Sequence, residues 1–600
     1  MNWKIMPLAA AALFAASAAL AEDPAVSVPV IPVHEIQAGA KGYGLTVIEG
    51  DEVRRFDVEV LGVIHNMSPG RDAIIFRAEG LGLEHSGVFG GMSGSPVYID
   101  GRLAGAVAFG WAWQKDAVAG MTPIDDMVRG ARTRAAAPPG APALTAERLL
   151  SVVEGRPEGL PEAWRVPAGP GGPVTLATSG FSRSAAALVR EVFHEDGFII
   201  ADMAPAGQRV GAAAVDEIDE AAADDLQPGS SVYAVLVSGD AFMGAVGTVT
   251  DRRGEEIYGF GHQFLNLDAV AIPMYTADVI TVFASAMRSF KIAIPKRPVG
   301  AITRDFATGV YGRIGAAAET FPVTVTVNSG SETERFRYDL FRHFAISPQL
   351  VAAVAAESAE SLAQAPRETT LSYRMEAAFA GGRSLTVERV RAGANAPAGM
   401  ASDLAGLMST TMHNPLENLL PEQIDISLSL EDTDRTARIE SVKIRENEVR
   451  PGEVLTLDVR VRPLRGPAET FTLEVSVPRG TAPGTVALVV CDGHTSSSLD
   501  LLEMRTRLDP QTIDELLDVL HPRRGAEELV VRLSGAGYGI SRAQREFPNL
   551  PSSTLAILAA PGDTSAAPIF KSILTAIDTP YVLTGRRMAS VLIKAPSEEN

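Results

Sequence analysis

Between Val30 and Met127 the chain runs in short alternations of apolar and polar residues cut by turn residues: RFDVEVLGVI, DAIIFRAE, SPVYIDGRLAGAVAFGWAW and TPIDDMV. Alternation puts successive side chains on opposite faces of a strand, so this stretch predicts a compact β domain. Within it, Tyr98-Ile99-Asp100-Gly101-Arg102-Leu103 predicts a hairpin, because Asp-Gly accepts the positive φ angles of a tight turn. Residues 132–175, with AAAPPGAPA and VPAGPGGPV, carry too much Pro and Gly for a continuous sheet and read as a linker broken by one short helix near Thr145 to Val153. Then come a helix expected at Ser184 to Phe193, the acidic AAAVDEIDEAAADD, and the strands SVYAVLVSG, GAVGTVT and EIYGFG, with His262 just after the last. DVITVFASA, FKIAIP, VGAITRDF and TGVYGRIG continue the pattern.

After Pro322 the pattern changes to PVTVTVNS, a helix expected at Pro348 to Ala363, and further alternation. IDISLSLED, RIESVKIREN, VLTLDVRVRP and TFTLEVSVP have the strand spacing of an immunoglobulin-type sandwich. The tail adds an amphipathic helix, IDELLDVL, and the strand ELVVRLS. The first residues, MNWKIMPLAAAALFAASAALA, set Lys4 before an apolar run that ends in Ala19-Leu20-Ala21, the layout of a cleavable secretory signal. The expected organisation is therefore a signal peptide at 1–21, a Ser-bearing β domain at 22–131, a linker at 132–175 and a His-bearing β domain at 176–322. A mixed α/β region at 323–423, an immunoglobulin-like sandwich at 424–490 and a C-terminal α/β region at 491–600 complete it. The expected location is periplasmic or secreted, with no stable membrane span after signal cleavage.

Composition narrows the chemistry. A net charge of -20 without a Lys/Arg run excludes a general nucleic-acid binder, which needs clustered cations to displace phosphate counterions. Cys491 is the one cysteine, so no intramolecular disulfide forms, and Cys491-Asp-Gly-His494 lacks the second pair a zinc site needs. No structural metal and no cofactor are expected. His-Glu-x-x-His, a phosphate-binding Gly-x-x-x-x-Gly-Lys and a dinucleotide-binding glycine motif are all missing from suitable contexts.

Gly90-Gly91-Met92-Ser93-Gly94-Ser95-Pro96 is the most informative segment. Glycines let backbone N–H groups converge beside an exposed hydroxyl, the arrangement acyl transfer needs where charge develops on a carbonyl oxygen. With Ser93 as nucleophile, the N–H groups of Gly91 and Ser93 are the natural oxyanion donors; the same composition also suits an ordinary turn before a strand. A base must be found among His34, His65, His85, His194, His262, His343, His413, His494 and His521. His262, in Tyr258-Gly259-Phe260-Gly261-His262, follows a strand directly, which projects an imidazole from a rigid edge and equally suits a structural histidine. His65 and His85 are nearer Ser93 in sequence but lack that context. Trp111 and Trp113 either line a cleft beside the serine or pack on each other or a lid.

Gly-Met-Ser-Gly-Ser-Pro is similar to the nucleophile loop of chymotrypsin-like peptidases and still more to that of the SpoIVB peptidase family, serine peptidase family 55. The likeness runs on into PVYIDGRLAGAVAFGW, and the Gly-His turn at His262 with KIAIPKRPVGAITRDFATGVYGRIG resembles that family's catalytic-histidine block. Together the two blocks cover roughly 38 to 128 and 228 to 315. The resemblance implies Ser93 as nucleophile, His262 as base, and an acidic third member at Glu79, with Asp72 as competitor or no acid at all. It also implies a mainly β fold with some α: chymotrypsin-like barrel halves in Ser-before-His order, then the sandwich and the C-terminal α/β region. The family's PDZ domain has no convincing counterpart in the sequence. The resulting expectation is an exported serine endopeptidase acting on a protein or peptide substrate in the cell envelope, with self-cleavage as an additional expectation. The competing expectation is a non-catalytic envelope scaffold or peptide-binding protein on the same fold.

Overall fold

The computed structural model describes residues 28–133, 140–155, 174–181, 198–202, 221–361, 369–479 and most of 481–595, with a few isolated positions between. Residues 1–21 of the expected signal peptide lie outside the described residues, and of the helix expected at Ser184 to Phe193 only Ala185 and Val189 are described, both buried. No helix among the described residues is long and apolar enough to cross a membrane.

Six strands close the first barrel: β1 (Lys41–Val47), β2 (Val53–Ser68), β3 (Arg71–Glu79), β4 (Pro96–Ile99), β5 (Arg102–Gly110) and β6 (Val118–Pro123), in the order β1-β2-β3-β6-β5-β4. Alternation sets which side of each strand faces inward. Phe56, Val58 and Val60 of β2 meet Ile74 and Phe76 of β3 and Ala119 and Met121 of β6 in one core. The Asp-Gly hairpin forms where expected, with φ of 51° at Asp100 and 72° at Gly101 joining β4 to β5.

After a short strand pair, β7 (Val174–Ser179) and β8 (Phe198–Asp202), a second ring forms. Its members are β9 (Ser231–Gly239), β10 (Phe242–Arg253), β11 (Glu256–Gly259), β12 (Asp268–Phe283), β13 (Phe290–Phe306) and β14 (Gly309–Ile314). Pairing runs β9-β12-β13-β14-β11-β10, and β10 pairs back on β9. β9 and β10 are buried on both faces because each separates two cores: Val232, Ala234, Met243 and Ala245 look one way, Tyr233, Val235, Phe242 and Val246 the other.

The sheet continues past this ring. β15 (Thr320–Ser329), β16 (Glu332–Phe341), β17 (Thr369–Phe379), β18 (Arg383–Gly393) and β19 (Pro421–Glu431) add on through β16 against β9. The helices Ser347–Ser361 and Ala396–Met412 cover one face of these strands. The expected short helix in the linker spans Ala146–Val153, and its end is bound by Arg389, whose guanidinium donates to the Val152 carbonyl at 2.6 Å.

The strands read from spacing as one sandwich at 424–490 are dealt out differently. β19 pairs in parallel with β15 and so belongs to the large sheet. β20 (Thr436–Ile444), β21 (Glu448–Val449), β22 (Val454–Pro463), β23 (Glu469–Ser476) and β24 (Gly484–Asp492) form two further sheets, each completed by strands from the tail. Val582–Thr584 joins β20, while Arg586–Ile593 lies between β21 and β24. Both sheets share one core in which Leu457 and Val459 meet Val490, Val531 and Ile593. Buried Cys491 has its thiol pushed up to about 12 by desolvation, so it is no nucleophile. No metal-binding group of His, Cys, Asp and Glu occurs among the described residues.

Candidate active site

The Ser93 loop joins β3 to β4 and leans on the second ring. Gly90 N–H donates to Ser289 O at 2.8 Å, and Lys291 N–H returns to Gly90 O at 2.9 Å. Thr248 N–H donates to Ser93 O at 2.8 Å, while the hydroxyls of Thr248 and Thr250 donate to the carbonyls of Gly91 and Gly94 at 2.9 and 2.7 Å. Gly91 and Gly94 adopt φ of 89° and 94°, which an L side chain resists. A Cβ on Gly94 would meet Thr248 O at 1.9 Å and Phe260 N at 2.5 Å, so only glycine fits between the loop and β10. With their carbonyls occupied, Gly91 and Ser93 keep their amides: among the described residues neither donates a hydrogen bond.

The His262 turn comes from the other side. Phe260 and Gly261 adopt φ of 65° and 69° after β11, and Gly261 is pressed on β5, where a Cβ would lie 2.8 Å from Val107 O. Thr122 of β6 donates its hydroxyl to Gly261 O at 2.7 Å. Just beyond, buried Asp305 of β13 accepts from the Phe264 and Leu265 amides at 2.7 and 2.5 Å. Burial pushes the Asp305 carboxyl up to about 6, against the pull of those amides.

Ser93 and His262 line one pocket. The His262 Nδ1 lies 2.6 Å from the Gln263 carbonyl oxygen. A carbonyl only accepts, so Nδ1 carries the proton and Nε2 keeps its lone pair. Burial pushes the imidazole down to about 4, the Gln263 carbonyl opposing and the Arg288 cation adding to the shift. The ring is neutral at neutral pH, as a general base must be. No hydrogen bond joins the Ser93 hydroxyl to the ring among the described residues, a separation common before substrate tightens a site.

Glu79 and Asp72 are not among the pocket-lining residues. Glu79 ends β3, exposed and opposite Asp57. Asp72 accepts from the Asn66 amide at 3.0 Å and lies 3.0 Å from His65 Nδ1, which holds its carboxyl below the usual range. The orienting partner of His262 is thus a backbone carbonyl. His85 does line the pocket, at its exposed edge, and Trp111 lines it too, with Phe109 edge-on at 5.7 Å; Trp113 is 68% exposed.

Three residues that sequence reading passed over are prominent. Asp305 and Lys291 sat inside runs read as strands, and Arg288 in the connection between two of them. Lys291 is buried beneath the loop, its ammonium donating to Ser231 Oγ at 3.1 Å and Thr248 Oγ1 at 3.4 Å; desolvation pulls it down to about 7. Arg288 lines the pocket itself. The only signal for any of them was polarity within an apolar segment.

Residues 15–127 match the model of the family described as SpoIVB peptidase S55. That stretch holds Ser93 and the first barrel, not His262. No curated protein and no solved structure matches the chain.

Proposed function

Since residues 15–127 match the SpoIVB peptidase S55 family model, we propose that the chain is an exported serine endopeptidase whose pair of six-stranded rings forms a chymotrypsin-like double barrel with the serine half first. The observation that carries this reading is the shared pocket: a half-buried Ser93, whose amide and that of Gly91 donate to nothing among the described residues, lines the same space as a neutral imidazole whose Nδ1 meets the Gln263 carbonyl.

Ser93 Oγ attacks the peptide carbonyl carbon while His262 Nε2 takes the hydroxyl proton. The negative oxygen is held by the Gly91 and Ser93 N–H groups. Collapse breaks the C–N bond, His262 gives its proton to the leaving amine, and water then releases the acyl group by the same steps in reverse. The Gln263 carbonyl does the orienting that an acid does in a triad, so Ser93 and His262 act as a dyad, with Glu79 and Asp72 outside it. Cleavage of the chain's own linker at 132–175 belongs to the same reading; mature protein that stays a single band on prolonged incubation would end that part of it.

A fluorophosphonate probe tests the whole. Wild-type protein labels, Ser93→Ala does not, and His262→Ala labels at least about a hundredfold more slowly, whereas His85→Ala falls far less. Folded wild-type protein that takes no label overturns the peptidase reading in favour of a peptide-binding scaffold.

A further inference from the structure

Among the described residues, the other buried and half-buried arginines meet carboxylates or, like Arg148 and Arg587, backbone carbonyls. Arg389 and Arg391 share Asp403, Arg532 meets Asp500 and Glu503, and Arg304 meets Asp268. Arg288 differs: it is half-buried, desolvation lowers its pKa, and no hydrogen bond or ion pair engages it among the described residues. A guanidinium taken partly out of water without a counter-charge is unfavourable unless something else supplies one.

Its surroundings cannot. Among the described residues, the pocket that Arg288 shares with Ser93 and His262 has no Asp or Glu in its lining, in a chain whose net charge is -20. Thr175, 91% buried in the same lining, also has a hydroxyl with no partner. The segment that carries Arg288 is fixed to the serine barrel: Ser289 Oγ donates to Ser86 O at 2.6 Å, and the Trp113 amide to Met287 O at 3.2 Å. The backbone on either side of the cation is therefore anchored before any ligand arrives.

Resting on the peptidase reading for the identity of the pocket, we infer that Arg288 is the specificity residue and that the site takes a polypeptide carboxylate beside the scissile bond. The carboxylate comes from an acidic side chain or a free C-terminus; both fit the fork of a guanidinium.

Fluorescence anisotropy on the Ser93→Ala protein tests this without turnover, using fluorescein-labelled peptides that differ only as Glu against Gln, each with a free or an amidated C-terminus. Carboxylate-bearing peptides are expected to bind about tenfold more tightly than their amide isosteres. Arg288→Gln brings the ratio near one, and Arg288→Glu turns the preference toward Lys peptides. Discrimination that survives C-terminal amidation assigns the side chain, and discrimination lost with it assigns the terminus. Equal binding of all four peptides overturns the inference. Should the Arg288 variants fail to fold by thermal unfolding, the Glu-to-Gln ratio in the Ser93→Ala protein decides alone. Fluorophosphonate labelling of wild type is scored separately: label without carboxylate preference removes only the inference, and preference without label removes only the peptidase reading.

Discussion

The two loops that meet at the pocket are held by opposite means. The Ser93 loop is shaped by its own residues, glycines at positive φ followed by a proline that starts β4. The His262 turn has one such glycine, at Gly261, and is otherwise held from a distance, by the Thr122 hydroxyl on the Gly261 carbonyl and by the carboxylate of Asp305, about 40 residues later in the chain, on the amides just beyond. The first loop is written where it stands, the second in the strand it packs against. The sharpest way to break the first is Gly94→Ala. Its methyl group would collide with backbone on both sides, Thr248 O and Phe260 N, and neither can rotate away. Loss of about 3 kcal/mol or more in urea denaturation is expected, with fluorophosphonate labelling abolished.

Asp305→Ala is the matching break in the second loop, and the next largest. It leaves the Phe264 and Leu265 amides buried without an acceptor, each costing about 1 to 3 kcal/mol. Because Gln263 precedes them and its carbonyl orients His262, labelling should fall toward the level of His262→Ala while Ser93 stays intact. Asp305→Asn keeps an acceptor oxygen and should fall between. Full labelling in a folded Asp305→Ala protein would remove the carboxylate from any part in positioning the base.

That asymmetry also decided what could be read from sequence. Ser93, its glycines and the Asp100-Gly101 hairpin announce themselves locally, and so does the alternation that closes the first barrel. Asp305 and Lys291 look like interruptions in strands, and Arg288 like an ordinary residue of a connection, until the partner strands are known. Glu79 and Asp72 come from the resemblance, as the acidic position upstream of the serine loop, yet they lie on β3 away from the pocket lining. Strand spacing likewise gave the β content of 424–490 without the partners, since nothing in IDISLSLED says that it pairs in parallel with β15 instead of joining β20.

The pH dependence sharpens the contrast at smaller scale. With the His262 pKa lowered to about 4, its neutral form persists as pH falls through the usual histidine range, so the acidic limb of labelling should lie near 4 and not near 6.5. The same shift sets a stability window. Between about 6.5 and 4 the unfolded chain takes a proton that the folded ring refuses, so stability drops as pH falls through that interval. Arg288→Gln removes a neighbouring cation and should move the limb upward; a limb near 6.5 in wild type would mean the ring is well solvated.

Lys291→Met is the smallest expected change and the most selective. Below about pH 7 the buried ammonium supports Thr248 Oγ1, which donates to the Gly91 carbonyl, and so steadies the loop from beneath. Methionine fills similar space without a charge to desolvate, so at pH 7 the variant should be more stable than wild type. Labelling should slow by only about threefold, the loss of one weak hydrogen bond behind the oxyanion amides. The sign of the pH effect follows from the lowered pKa. From about 7 to 10.5 the unfolded chain keeps a proton that folded Lys291 has released, so wild-type stability gains with rising pH while the variant lacks this term. The two unfolding curves should therefore converge between pH 7 and 10, and parallel curves would show that the lysine is not desolvated beneath the Ser93 loop.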